Sequence, residues 1–121
     1  MVMRSIRSVG GPTPGHPWCM DASIGATPVP FDLWQCVAFS YDGRAVRSYL
    51  NGRLDAREGR NPYIYPQGLF AGGADGSDFT VGAVHRSHQM GNWFAGDLGG
   101  LAVFSRALSD LEMERLGVLA G

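Results

Sequence analysis

The sequence has no lysine, only two cysteines and no long apolar run. All ten cationic side chains are arginine, which we attribute to compositional bias because their spacing does not favour forked contacts to anions. A net charge of −1 creates no global field that attracts nucleic acid or acidic membranes, and acids interleave with the arginines of 44–60. No stretch approaches the roughly 18 apolar residues of a membrane helix. We therefore expect neither a nucleic-acid nor a membrane partner. We expect the arginines of 44–60 to lie on a solvated face of the sheet.

The two cysteines, Cys19 and Cys36, form no CxxC pair, which excludes a structural zinc site of the usual kind. Cys36 lies within an apolar strand pattern, which favours a buried free thiol. A bridge to Cys19 stays open as the alternative, because spacing alone does not show whether two cysteines meet.

The N-terminal third is predicted to be irregular. Residues 3–8 favour a short strand, whereas Gly and Pro interrupt every regular pattern over 9–33. A chain of 121 residues fits one domain. We therefore divide it into an irregular segment 1–33, part of the main body or packed on it, and a β domain over 34–121.

The centre of the chain predicts a three-stranded antiparallel meander. Runs rich in aromatic and β-branched residues cover 34–41, 44–50 and 53–58. Asp-Gly at 42–43 and Asn-Gly at 51–52 separate them, and both dipeptides favour tight turns with positive φ.

Further strands are predicted at 79–84, 92–95 and 97–104, after a loop over 59–68. The predicted elements are mostly strands, which indicates an antiparallel all-β domain. The consecutive apolar residues at 37–39 indicate strands covered on both faces, as in two stacked sheets.

The C-terminal segment carries the signals of one short helix. Ser109 is the predicted N-cap, and Glu112 completes a capping box. Leu108 is placed to pack on Met113 as a hydrophobic staple. Gly117 supplies a left-handed stop, so the helix is predicted over about 109–116.

Four motifs follow one another in a recognisable order. They are a Trp-led strand and turn at 34–43, Tyr-Leu-Asn-Gly at 49–52, Phe-Thr-Val-Gly-Ala at 79–83, and Phe-x-Gly-x-Leu at 94–98 with Val-Phe-Ser-Arg-Ala-Leu-Ser at 103–109. Together they resemble the laminin-G-like, concanavalin A-like jelly-roll domains. The resemblance implies an all-β, antiparallel jelly-roll sandwich with one short C-terminal helix. Such motifs report fold better than function.

Two features depart from that family's pattern. Gly-Gly at 99–100 stands where the family usually has Asp-Glu, so any role of those acids is absent. The N-terminal third shows little of the family's opening strands, so open sheet edges are expected. We expect a second copy, another domain of a parent protein, or the chain's own residues 9–33 to cover an edge.

Catalysis is not expected, although the same fold hosts glucanases and lyases. A glucanase needs two carboxyl groups flanking the scissile bond, at alternating positions of one strand. The glutamates are Glu58, Glu112 and Glu114, and the last two belong to the predicted helix. Asp55 has an arginine two positions away on either side, which favours a solvated charge stripe.

Sugar binding is the function that the loop residues favour. Aromatic faces stack on sugar C–H surfaces, and planar polar groups bind hydroxyls. Two tyrosines at 63 and 65 share a face if extended, and an amide stands beside an indole at 92–93. The alternative is that these aromatic residues pin loops to the sheet. The predicted ligand-binding residues are Tyr63, Tyr65, His85, His88, Asn92 and Trp93.

Calcium is the one cofactor that the sequence suggests. Asp75 and Asp78 place two carboxylates in one turn, where Asn92 and loop carbonyls are further candidate ligands. The alternative is an ordinary Asp/Gly turn whose side chains bond their own backbone. His85 and His88, three positions apart, do not define a zinc site.

The sequence as a whole predicts a non-catalytic recognition module that binds carbohydrate or a glycosylated surface. A structural or adhesion module that packs against another domain or chain is the alternative, and a remnant of a glycan-active enzyme is a third. The resemblance implies an extracellular or periplasmic location. Residues 1–10 contain two arginines but no following apolar run, so they do not form a secretory signal as they stand.

Overall fold

The computed structural model describes residues 5–13, 15–69, 74, 79–86 and 88–120. The chain forms two compact units, one comprising Met1–Leu69 with Phe104–Gly121 and the other Phe70–Val103. The described elements are antiparallel strands and one C-terminal helix, as predicted. No helix in these ranges has both the length and the apolarity to cross a bilayer.

An N-terminal hairpin stands where the sequence predicted a loop. Strands β1 (Arg7–Thr13) and β2 (His16–Ile24) pair antiparallel, so the irregular prediction for 9–33 is wrong over 9–24. The ladder shifts register twice within Val9–Thr13, where glycine and proline are concentrated. A bulged two-stranded sheet tolerates these residues because interrupted pairing leaves fewer ladder bonds for them to break.

The order and pairing of the predicted meander are confirmed at the centre of the first unit, although its third strand is shorter than the predicted 53–58. Strands β3 (Val37–Tyr41), β4 (Ala45–Leu50) and β5 (Arg53–Leu54) pair antiparallel in that order. A further strand, β6 (Tyr63–Ile64), pairs with the start of β4. The turn at 51–52 has φ of 52° and 83°, the type I′ geometry that Asn-Gly favours.

Strand β4 is covered on both faces. Alternate side chains of a strand point to opposite faces. On one face the Ser48 hydroxyl is hydrogen-bonded to the Ser23 hydroxyl of β2, and both residues are fully buried. On the other face Tyr49 packs with Leu108 and Met113 in an apolar cluster. The layered core predicted from the apolar run is thus centred on β4.

Strand β3 is an edge of this sheet within the described ranges. It pairs with β4, and Val37 and Phe39 remain about half-exposed. The prediction that these residues are covered on both faces is therefore wrong for β3. Ala38 is covered because it points to the opposite face and packs against the Tyr49 cluster.

The helix α1 (Asp110–Ala120) begins where its capping signals predict. The Ser109 amide donates to the Glu112 carboxylate at 2.8 Å, and the Glu112 amide donates to the Ser109 hydroxyl at 3.2 Å. This pair is the predicted capping box. The predicted staple is also found, because Leu108 and Met113 are buried in the same cluster.

Gly117 does not end the helix, so the predicted stop after 116 is wrong. The helix continues to Ala120. A Cβ on Gly117 would lie 2.6 Å from the Gly52 Cα and 2.7 Å from the Gly52 nitrogen. The glycine therefore lets the helix backbone lie directly against the turn at 51–52, which no residue with a Cβ allows without a shift.

The second unit contains a short hairpin. Strands β7 (Val84–Arg86) and β8 (Gln89–Gly91) pair antiparallel. His85 lies opposite Met90 in this ladder.

The strands predicted at 79–84, 92–95 and 97–104 are wrong, because only Val84 of those residues lies in a strand. The Thr80 hydroxyl donates to the Ala83 carbonyl at 2.6 Å, which makes a turn in an expected strand. A composition typical of strands did not make these segments strands, because a strand forms only where a neighbouring strand provides hydrogen-bond partners.

Candidate functional site

The residues predicted to bind ligand fall into different units. The two tyrosines lie at β6 in the first unit, and the remaining four residues lie on β7–β8 or directly after it in the second unit. The residues of each unit are therefore described separately. The second-unit residues are His85, His88, Asn92 and Trp93.

Tyr65 belongs to the core of the first unit. Its side chain is 3% exposed. Its amide donates to the Arg44 carbonyl at 2.7 Å, and its carbonyl accepts a hydrogen bond from the Tyr41 hydroxyl at 2.8 Å. A ring so deeply buried has no face for a sugar, so the prediction for Tyr65 is wrong. Tyr65 instead holds its loop against the sheet, which is the alternative role considered for these aromatic residues.

Tyr63 is half-buried beside Arg60, whose guanidinium carbon lies 5.2 Å from the ring centroid. Such a position is attractive because the ring face is electron-rich. Desolvation and the nearby Asp21 carboxylate raise the pKa of the Tyr63 hydroxyl. Arg60 also donates to the Ala22 carbonyl at 3.2 Å, so it is not the solvated side chain that was predicted. A ligand role for Tyr63 stays a prediction.

The β7–β8 hairpin exposes an indole beside an amide. The Trp93 side chain is 68% exposed, and Asn92 next to it is also exposed. Asn92 and His88 both have positive φ, at 51° and 61°. These residues therefore sit at sharp bends of the backbone, while His85 lies within the ladder. Their contact with ligand stays a prediction.

The predicted calcium ligands Asp75 and Asp78 lie outside the described residues. Within the described ranges, no three His, Cys, Asp or Glu side chains come together as a metal site. The calcium prediction therefore stays a prediction.

Cys36 is a free thiol, as predicted, but it is half-buried rather than buried and lies just before β3 rather than within a strand. The Cys36 amide donates to the Asn51 side-chain oxygen at 3.0 Å, and its carbonyl accepts from the Asn51 amide at 2.7 Å. The backbone of Cys36 thus ties the start of β3 to the turn at 51–52.

A surface cavity of about 530 Å³ that is open to solvent lies beside that turn, and the sequence did not predict it. It joins the end of β4 and the β5 strand to a residue from the loop after β2. Its walls combine apolar side chains with an amide, a guanidinium, a hydroxyl and a carboxylate. The lining residues are Thr27, Leu50, Asn51, Arg53, Leu54 and Asp55.

Asp55 is 8% exposed, so the prediction that it belongs to a solvated charge stripe is wrong. The Thr27 amide donates to its carboxylate at 3.1 Å, and the Thr27 hydroxyl donates at 2.6 Å. The flanking arginines gave no signal of this burial, because Thr27 lies in a different segment of the chain.

Asn61 holds the neighbouring backbone in place, a role that its position in the predicted loop 59–68 did not indicate. Its amide nitrogen donates to the Ser48 carbonyl at 2.8 Å and to the Asp55 carbonyl at 2.7 Å. Its oxygen accepts from the Ser48 amide at 3.0 Å. One side chain thus joins β4 to the segment after β5.

Arg47 forms an ion pair with Asp42 at 2.7 Å. Hydrogen bonds from the Ala45 amide and from Arg47 hold the pKa of Asp42 well below its usual range. Three other arginines of the segment 44–60, Arg44, Arg53 and Arg57, are exposed. The predicted solvated face is confirmed for these three.

The Glu112→Gln variant is expected to lose less stability than the wild type when the pH is lowered. Hydrogen bonds from Arg106 and from the Ser109 amide lower the pKa of Glu112 from 4.5 to about 2. A carboxylate with a lowered folded-state pKa stabilises the fold above its unfolded pKa and loses that contribution as the pH falls through its folded pKa. The melting temperature of the wild type should therefore approach that of Glu112→Gln between about pH 5 and pH 2.

The matched control is Glu114→Gln, an exposed residue of the same helix that makes no hydrogen bond or ion pair within the described ranges. Its melting curve should follow the wild type at every pH. A constant difference between wild type and Glu112→Gln from neutral pH to pH 2 would contradict the assignment.

Comparison with known sequences defines the class of protein. The model of the concanavalin A-like lectin/glucanases superfamily matches residues 11–113. The chain therefore belongs to this superfamily, and its fold is the predicted antiparallel jelly-roll sandwich with a short C-terminal helix. The match begins within β1, so it includes part of the segment that was predicted to be irregular.

A solved structure shares the fold. It is an S-layer domain-containing protein (residues 221–444) from Clostridium thermocellum, with a TM-score of 0.56 and 18% identity. The alignment covers 83% of this chain and 46% of that chain, so this chain spans about half its length. No curated protein matches the sequence.

Proposed function

We propose that the protein is a non-catalytic recognition module that binds carbohydrate or a glycosylated surface outside the cell. The observation that carries the proposal is the exposed indole of Trp93 beside the exposed amide of Asn92. Membership of a superfamily that includes lectins supports it.

An indole beside an amide has the chemistry that a sugar requires. The flat apolar face of an indole covers the C–H face of a pyranose ring. The Asn92 amide both donates and accepts hydrogen bonds, as sugar hydroxyls do. His88, exposed in the hairpin turn, adds ring nitrogens of the same kind.

Three acidic side chains of the first unit make structural hydrogen bonds, which supports a role without catalysis. Glycoside hydrolysis uses two carboxyl groups roughly 5 to 9.5 Å apart across one bond. Here Asp42 bonds to the Ala45 amide, Asp55 to Thr27, and Glu112 to the Ser109 amide. These carboxylates stabilise a turn, a loop and a helix cap, and we assign none of them a catalytic role.

Replacing Trp93 with alanine is expected to weaken binding to glycans at least tenfold, because the stacking surface is lost. A tenfold change corresponds to about 1.4 kcal/mol. Wild type and variant are compared on an array of neutral and acidic glycans, and affinities for the best binder are then measured by titration calorimetry.

The matched control is Trp34→Ala, since Trp34 is 74% exposed but belongs to the other unit. It should bind as the wild type does. A wild type that binds no glycan would refute the proposal, and equal binding by Trp93→Ala and the wild type would refute Trp93 as the stacking surface.

A second candidate is a structural or adhesion module that packs against another domain or chain. It is favoured by the edge strand β3, whose Val37 and Phe39 side chains are half-exposed. The solved neighbour is itself described as an S-layer domain-containing protein. Concentration-dependent association in sedimentation, together with silence on the glycan array, would favour this candidate over recognition.

A further inference from the structure

We propose that the cavity beside the turn at 51–52 binds a carboxylated sugar, of the chemical class of the uronic acids. The inference rests on the proposed carbohydrate function and names a ligand class for it. The site belongs to the first unit, whereas Trp93 belongs to the second.

The cavity has a size and lining that suit one sugar ring. Its volume of about 530 Å³ lies within the roughly 300–1,000 Å³ of small-ligand sites. Leu50 and Leu54 form an apolar part of the wall, and the other lining residues are polar. A pyranose presents both surfaces, because its ring has C–H faces and a rim of hydroxyls.

Arg53 supplies an unpaired cation at this cavity. Its exposed guanidinium makes no hydrogen bond or ion pair in the part of the chain that the structure describes. Arg47, in contrast, is occupied by Asp42. A guanidinium presents parallel N–H donors that match the two oxygens of a carboxylate. A ligand carboxylate is therefore the group that Arg53 fits best.

Thr27 and Asn51 are placed to bind hydroxyls. The Thr27 hydroxyl donates its hydrogen to Asp55 at 2.6 Å, which leaves its oxygen lone pairs available to accept from a ligand. Asn51 donates one amide hydrogen to Gln35 at 2.8 Å and keeps the second for a ligand oxygen. The cavity thus offers donors and acceptors in addition to the cation.

Asp55 limits which anion the cavity accepts. Its buried carboxylate lines the same cavity and repels a multiply charged group such as phosphate more strongly than a single carboxylate. A ligand with one negative charge flanked by hydroxyls therefore fits better than an inorganic anion.

The test uses the full chain and titration calorimetry with galacturonic acid, which carries one carboxylate on one ring, its methyl ester and inorganic phosphate. The ester keeps the ring and hydroxyls but removes the charge, so it should bind at least tenfold more weakly than the acid. Arg53→Gln should weaken binding of the acid at least tenfold. The control Arg57→Gln removes an equally charged, exposed side chain outside the cavity and should change affinity less than twofold.

The outcomes separate this inference from the recognition proposal. Equal binding of acid and ester, tighter binding of phosphate, or equal losses in the two arginine variants would overturn the uronic-acid site. If Trp93→Ala abolishes glycan binding and Arg53→Gln leaves it intact, recognition stands and this site is wrong. A wild type that binds neither neutral nor acidic glycans overturns both.

Discussion

Replacing Asn61 with alanine is expected to lower the free energy of unfolding by about 2 to 6 kcal/mol. The Asn61 side chain is 1% exposed and satisfies the Ser48 amide and the Asp55 carbonyl. Without it, both backbone groups stay buried with no partner, and each unsatisfied group costs about 1 to 3 kcal/mol. The Ser48 carbonyl is less affected, because the Asp55 amide also donates to it at 3.1 Å.

Urea unfolding followed by circular dichroism measures this loss. The matched control is Gln67→Ala, which removes an exposed amide from the following loop and should change stability by less than about 0.5 kcal/mol. Asn61→Asp separates volume from hydrogen bonding, because it keeps the acceptor oxygen and the shape but removes both donors. A wild-type urea midpoint for Asn61→Asp would show that the donors do not matter.

Replacing Gly117 with alanine is expected to destabilise the protein by about 2 kcal/mol, although alanine is the better helix former. By propensity alone, the change within a helix stabilises by roughly 0.5 to 1 kcal/mol. The new Cβ would lie 2.6 Å from the Gly52 Cα and 2.8 Å from the Asn51 carbonyl carbon. These are backbone atoms that cannot swing aside, so the helix must move away from the turn. Overpacking of this kind typically costs about 1 to 3 kcal/mol.

The sign of the change therefore decides between packing and propensity. Gly91→Ala is the control, since a Cβ there meets nothing within 4 Å. Its urea midpoint should remain close to the wild-type value. A stabilised Gly117→Ala variant would mean that α1 does not lie against the turn at 51–52 as the structure shows.

The elements that local signals specify were predicted well. The Asn-Gly turn demanded positive φ at both residues, and the Ser109–Glu112 capping box acts over a single helical turn. The segment 79–104 was predicted poorly because a β-rich composition does not supply a strand partner. Gly117 was interpreted as a helix stop because its role, the close approach to Gly52, depends on a residue far away in the sequence.

The candidate site residues likewise fall into those that local sequence indicates and those that depend on distant residues. Trp93 and Asn92 were proposed from their types and their adjacency, which the sequence displays directly, and their ligand role stays a prediction. The cavity lined by Arg53 and Asp55 was not predicted, because one of its walls comes from Thr27, which is distant in the sequence. Thr27 hydrogen-bonds the Asp55 carboxylate, and Arg53 lines the same cavity. Tyr65 was chosen by type as well, and only the packing of its loop shows that its ring is inaccessible.

The Tyr49 hydroxyl donates to Asp110, 61 residues further along the chain, at 2.8 Å. At roughly 5 to 20 residues per second, a ribosome needs roughly 3 to 12 seconds to synthesise the intervening segment. During that interval the helix cannot yet cover its face of β4, so the nascent chain presents an apolar surface to chaperones and to other nascent chains. Closure of this distant contact, rather than formation of the local meander, should therefore limit how soon the newborn protein becomes protected from aggregation.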